Sequence, residues 1–254
     1  TATGVYGAGI GGGRSADGDV TISGGTIKKA ESLSPTDPGG AGIGGGYAGN
    51  AKNIIIRGHS KVKATACNGA AIGGGSAGWS SYYGGSAKGI VICDHATVAA
   101  RSDMGHGAAI GAAGDNGKDT EAEVTIGTAG ATAEQEDVHV TAIGHYGSAI
   151  GNGAKDTKVT IQGHVTIQTA SDDSNSVIGS SRGNVEVNIK VNASIDTATG
   201  GLNSSIGGWS FDIDSNRKDV VNKVVVNIDG GKHGKVKIGE NHAILGSIYG
   251  AISG

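Results

Sequence analysis

The heptad GAGIGGG stands at residues 7–13 and again at 40–46, and returns as GAAIGGG at 69–75 and GAAIGAA at 107–113. Aligned on its apolar residue, the pattern runs through Ile10, Ile43, Ile72, Ile110, Ile150, Ile178, Ile206 and Leu245, at spacings of 28 to 40 residues. A glycine follows each of them, and an alanine or serine stands two residues before. Self-similarity at such a period is the mark of an array in which each unit completes its core only by stacking on the next.

Each heptad is followed, after a loop of variable length, by a second segment. It reads VTISGG at 20–25, IIIRGH at 54–59, IVICDH at 90–95, VTIGTA at 124–129, VTIQGH at 159–164, VNIKVN at 187–192 and VNIDGG at 226–231. Apolar residues alternate with others at period two, so these are strands with one buried face. A third short segment places Ile27, Val62, Val98, Val140, Ile167 and Ile195 inward. Three short strands per repeat, joined by turns, describe one coil of an all-β, right-handed parallel β-helix. Seven to eight coils in a single domain over residues 1–254 make a rod roughly 35 Å long at the usual strand spacing.

Composition agrees. Glycine accounts for 50 of 254 residues and proline for 2, without the three-residue period of collagen. Only 4% of residues are aromatic, so the interior is narrow and filled by Ile, Val and Ala. The heptad is therefore a corner of the coil, where the glycine takes a backbone that a side chain would obstruct. It is not a dinucleotide loop, because no helix follows it.

The turn after the second strand carries Gly25, His59, His95, His164, Asn192 and Gly231 at one offset. All three residue types tolerate left-handed backbone, which is the expectation here; a histidine metal ladder is the competing reading. In the fourth coil an insertion around residues 127–137, with Glu134, Glu136 and Asp137, interrupts this column.

A net charge of −3, with no basic run, argues against nucleic acid and anionic membrane as partners. No stretch approaches the roughly 18 apolar residues of a membrane-spanning helix. Cys67 and Cys93 are too few for a disulfide framework, fall at different corners, and are expected to be free thiols. The chain opens at Thr1 in mid-pattern, so it is expected to be part of a longer protein whose other domains are partners.

The repeated GAGIGGG followed by a VTISGG-type strand resembles right-handed β-helix regions in large surface and secreted proteins of Gram-positive bacteria. Some of those regions bind carbohydrate. They fall in the wider pectate-lyase-like β-helix group, which also contains polysaccharide lyases and glycoside hydrolases. The resemblance covers nearly the whole chain. It implies an extracellular or cell-surface module with a glycan-related or adhesive role, and no catalytic residue.

Two edges of the rod hold residues suited to chemistry. The loop after each heptad carries Tyr47 in the second coil, Trp79, Tyr82 and Tyr83 in the third, and Trp209, Phe211 and Asp212 in the seventh. Aromatic faces there would stack on sugar rings, with Asp212 bonding hydroxyls; the same residues would otherwise cover the rod edge or its cap. The turn before each heptad gathers Asp103, His106, His145, Asp172 and Asp173. These are ordinary turn formers, oxygen ligands for calcium, or a carboxylate pair for acid–base work on a glycosidic bond. No other cofactor is implied. The run Asp212-x-Asp214-x-Asn216 starts like a calcium loop but has Arg217 where glycine is needed. The leading expectation is a non-catalytic carbohydrate-binding or adhesive module. A polysaccharide-degrading enzyme is the alternative, and a structural spacer is the third reading. An ice-binding face is set aside because its threonine ladder, Thr21, Ile55, Val91, Thr125, Thr160, Asn188 and Asn227, is broken.

Overall fold

A computed structural model describes residues 1–34, 39–77, 84–114, 120–171, 176–180, 183–190, 192–198, 206–208, 223–230 and 237–238. They form three parallel sheets of seven, seven and eight strands, and no helix occurs among them. The corner sheet stacks Ile10–Gly11, Ile43–Gly44, Ile72–Gly73, Ile110–Gly111, Ile150–Gly151, Ile178–Ser180 and Ile206–Gly208. The second sheet stacks Gly18–Ser23, Ala51–Arg57, Ala87–Ile92, Glu121–Ile126, Asp156–Ile161, Asn184–Lys190 and Val224–Asp229. The third stacks Ala2–Gly4, Thr26–Ser32, Lys61–Ala66, Thr97–Ser102, Val138–Gly144, Val165–Ser171, Ala193–Ala198 and Lys237–Ile238. Every pairing is to the equivalent strand of the next repeat, as in a right-handed parallel β-helix. Coils are numbered below by their corner isoleucine, Ile10 being coil 1 and Ile206 coil 7.

The repeat pattern becomes the core directly. Ile43, Ile72, Ile110, Ile150 and Ile178 are fully buried in one column, each paired with the isoleucine of the next coil. The alternating strand residues do the same: Ile54 and Ile56, Ile90 and Ile92, Val124 and Ile126, Val159 and Ile161 point inward. Val62, Val98, Val140, Ile167 and Ile195 close the third side. The small residue two before each corner isoleucine is buried too, at Ala41, Ala70, Ala108, Ser148 and Ser176.

The corner glycine is required at each level. Gly73 has φ +144°, and a Cβ built on it would lie 1.8 Å from the carbonyl oxygen of Gly111 in the next coil. Both the backbone conformation and the distance between coils exclude a side chain.

A polar column runs down the start of the second sheet. Asp17 Oδ1 accepts the Asn50 N–H at 2.8 Å, Asn50 Oδ1 accepts the Ser86 N–H at 2.9 Å, and Ser86 Oγ accepts the Glu121 N–H at 3.1 Å. Lower in the rod, Asn184 Oδ1 accepts the Lys223 N–H at 3.2 Å. At these levels a side chain thus satisfies a backbone donor of the next coil, whereas the Asn184 N–H donates to the Lys155 carbonyl at 2.9 Å.

The left-handed turn column holds at Gly25, His59, His95 and Asn192, with φ from +56° to +81°. His164 departs from the expectation: in coil 5 the left-handed residue is Gly163, φ +76°. One such residue suffices to turn the chain, and His164 meets Asp137 of the inserted segment instead, Nδ1 to Oδ1 at 3.2 Å. Gly231 lies outside the described residues.

Candidate functional site

Of the residues singled out in the sequence, Trp79, Tyr82, Tyr83, Trp209, Asp212, Asp172 and Asp173 lie outside the described residues. Tyr47 is half-buried in the corner loop of coil 2, and its N–H donates to the Tyr6 carbonyl at 2.7 Å. The Arg14 guanidinium lies 5.3 Å from the Tyr6 ring centre and 5.9 Å from that of Tyr47. This cation–π cluster joins coils 1 and 2. Tyr6 and Arg14 were not picked out in the sequence, although both sit beside heptads.

On the opposite edge, Asp103 is ion-paired with Arg101. His106 and His145 come together through Tyr146, whose ring centre is 5.7 Å from His106 and 4.2 Å from His145. The contact between these histidines is therefore aromatic packing across two coils.

The histidine column divides into two parts. His59 and His95 stack in parallel, with centres 4.6 Å apart and planes 4° apart. Lower down, Asp137 lies against His139 Nε2 at 3.1 Å and His164 Nδ1 at 3.2 Å. Partial burial pushes the Asp137 carboxyl upward, but the hydrogen bond from His139 and the charges of both histidines outweigh it and hold the group below its ordinary value. Beside it, buried Glu136 accepts the backbone N–H groups of Thr128 and Asp94 at 2.7 and 3.3 Å, pinning the insertion to coil 3. Among the described residues, no group of three or more His, Cys, Asp or Glu is arranged to hold a metal ion.

Both cysteines are free and half-buried. Burial, then the negative charges of Asp94 and Glu136, push the Cys93 thiol up to about 11. Burial and then Asp103 raise Cys67 in the same direction. Neither is an activated nucleophile.

A groove of about 440 Å³ lies on the outward side of the second sheet and spans coils 3 to 7. A change of register lies at its upper end. The strands of coils 2 and 3 hold one extra residue, with positive φ at Asn53 and Gly89, and pairing shifts between coils 3 and 4 at Ala122/Val124. Such a bulge bends the strand and re-aims its side chains. Lys88 forms the upper lip; Glu121 and Glu123 follow in coil 4, Asp156 and Lys158 in coil 5, Asn184 and Glu186 in coil 6, and Lys223 in coil 7. Val225 is half-buried and supplies apolar surface, while Ala122 and Val185 form the buried floor.

The strip beside the groove changes character at the same level. The middle outward residue is Ile55 and Val91 in coils 2 and 3, and Thr125, Thr160, Asn188 and Asn227 in coils 4 to 7. Asn227 Nδ2 donates to Asn188 Oδ1 at 2.7 Å, and Asn188 Nδ2 donates to Glu186 Oε1 at 2.7 Å. Glu121 is gripped by Lys88 and by Lys155, the latter at 3.2 Å; the Lys88 bond, then the Lys155 bond, lower its pKa. It stays ionised and acts as an acceptor.

A family model described as a beta helix repeat matches residues 1–14, 20–47 and 54–76, which cover coils 1 and 2 and the corner of coil 3. Compared with curated proteins and with solved structures, the chain matches none. The family match agrees with a β-helix repeat region and extends to no activity.

Proposed function

We propose that this β-helix is a non-catalytic glycan-binding or adhesive module of a bacterial cell-surface or secreted protein. The groove on the outward side of the second sheet carries the reading. It is an open channel along the rod, with carboxylate, amide and ammonium groups on its walls and the apolar surface of Val225 at one end. Hydroxyl-rich polymers are recognised by that mixture: hydrogen bonds orient the ring, and apolar surface covers its C–H faces. The Tyr6–Arg14–Tyr47 cluster offers a second platform near the other end.

Carboxyl chemistry favours binding over cleavage. Glycoside hydrolysis uses a pair of carboxyls about 5–10 Å apart, one of them kept protonated by a raised pKa. The shifts resolved among described carboxyls, at Asp17, Glu31, Glu121 and Asp137, are all downward. Groups held ionised in this way accept hydrogen bonds from hydroxyls and do not donate protons to leaving groups.

The test is a binding screen of the whole chain against bacterial and plant polysaccharides, with and without calcium, and with product analysis on every hit. Binding without new reducing ends or unsaturated products is the expected result. Cleavage products would replace this reading with an enzyme and direct attention to Asp103, His106, His145, Asp172 and Asp173. Absence of binding to every glycan would leave a spacer or a protein-recognising adhesin.

A further inference from the structure

We infer that the groove takes a linear glycan lying along the rod axis, one sugar per coil, in which ammonium-bearing and carboxylate-bearing residues alternate. The inference rests on the glycan-binding reading above and names the ligand class for that site.

Glu123, Lys158 and Glu186 occupy one register column of the second sheet, in coils 4, 5 and 6. All three line the groove. The sign of charge therefore alternates at every strand step, about 4.8 Å each. A pyranose in an extended chain advances by a similar distance, so one sugar meets one coil and a disaccharide spans two. Like charges two coils apart then match a polymer whose repeat is a disaccharide.

The pairing pattern sharpens this. Elsewhere on the same face acids and lysines neutralise one another: Asp17 with Lys52, and Glu121 with Lys88 and Lys155. Among the described residues, Glu123 and Lys158 make no ion pair and no side-chain hydrogen bond, although their strands are adjacent and in register. Both are exposed. Glu186 lines the groove and accepts from Asn188 through Oε1 alone among its carboxylate oxygens. A polyanion would set a carboxylate against Glu123 and Glu186 for each one that met Lys158. A polycation would set an ammonium against Lys158. Along this column, only an alternating polymer puts an opposite charge at each of the three levels, with Thr125, Thr160 and Asn188 alongside for ring hydroxyls.

The experiment measures affinities of the full chain, at about pH 6 where amines are protonated and carboxylates ionised, for five probes of equal length. These are N-deacetylated hyaluronan (alternating glucuronate and free-amine glucosamine), the same oligosaccharide after re-N-acetylation, polygalacturonate, chitosan and a cello-oligosaccharide. The expected result is that the deacetylated probe binds best, by at least about five-fold over its re-acetylated form, the scale of one or two exposed ion pairs. Glu123→Gln and Lys158→Gln should each shrink that preference, with circular dichroism and melting unchanged. Equal binding of both hyaluronan forms, or tightest binding of polygalacturonate, chitosan or the neutral probe, overturns the inference and leaves the glycan-binding reading standing. No binding of any probe, together with a negative polysaccharide screen, sinks both.

Discussion

The corner column and the outward face of the second sheet are built from the same coils and obey different rules. At the corner, Gly44, Gly73, Gly111, Gly151, Gly179 and Gly207 all have φ between +116° and +145°, and each follows an isoleucine. Across the coil, the outward residues run Lys52, Lys88, Glu123, Lys158, Glu186 and Val225, with no constancy of charge or size. The corner is constrained on every side by the coils above and below. The outward face is constrained only by the strand backbone, so its side chains can be assigned to another task. Repetition in this chain marks architecture, and departure from repetition marks a surface that the architecture does not constrain.

The strongest way to break that comparison is to place a side chain at the corner. Gly73→Ala forces a methyl into the Gly111 carbonyl and demands a backbone that alanine rarely adopts. It is expected to cost about 4 kcal/mol or more, the range of the most damaging single substitutions. Urea denaturation, or failure to recover folded protein, reads it; a loss under about 1 kcal/mol would mean that the coils can spread to admit the methyl. Next in size is Ile110→Ala, which empties the middle of the isoleucine column. A cost of about 3 kcal/mol is expected from lost burial and the cavity left behind, again by denaturation.

The inserted segment of coil 4 gives a smaller effect with a definite sign in pH. The Asp137 carboxyl is held below its ordinary value in the fold. Its contribution to stability is therefore complete above about pH 4, the unfolded value, and is lost as pH falls further through the folded value. Because the side chain is 44% exposed, the amount is a few tenths of a kcal/mol. Asp137→Asn should lower the melting temperature slightly from about pH 4 to neutrality and converge with the unaltered chain at lower pH, which flattens the acid limb. An unchanged acid limb would assign the effect to another group.

The architecture was legible because a solenoid repeats its constraints. Ile43, Ile72 and Ile110 sit in identical surroundings, so one steric requirement is printed in the sequence several times. The left-handed turn was legible for the same reason at His59 and His95. It misled at His164, where Gly163 alone has positive φ and nothing local announces the meeting with Asp137. The groove was not read at all. Glu123, Lys158 and Glu186 each look like an ordinary solvated position of an alternating strand, and they become a column only in register. That register runs unbroken through coils 4 to 6 and is interrupted above them, between coils 3 and 4, and it is invisible until the strands are stacked. The edges favoured in the sequence rest largely on Trp79, Tyr82, Tyr83, Trp209, Asp172 and Asp173, outside the described residues, while the described members Asp103, His106 and His145 engage Arg101 and Tyr146.

The smallest structural effect and the largest functional one should coincide at Lys158. Lys158→Gln is an exposed substitution, expected to change stability by no more than about 0.5 kcal/mol. Its melting temperature and its retardation in a gel containing the best-binding polysaccharide, each measured beside the unaltered chain, test the division between architecture and contact surface most directly. An unchanged melting temperature with clearly weakened retardation is the expected result. Unchanged retardation in a fully folded variant would contradict the account, because the column facing the groove would then take no part in binding.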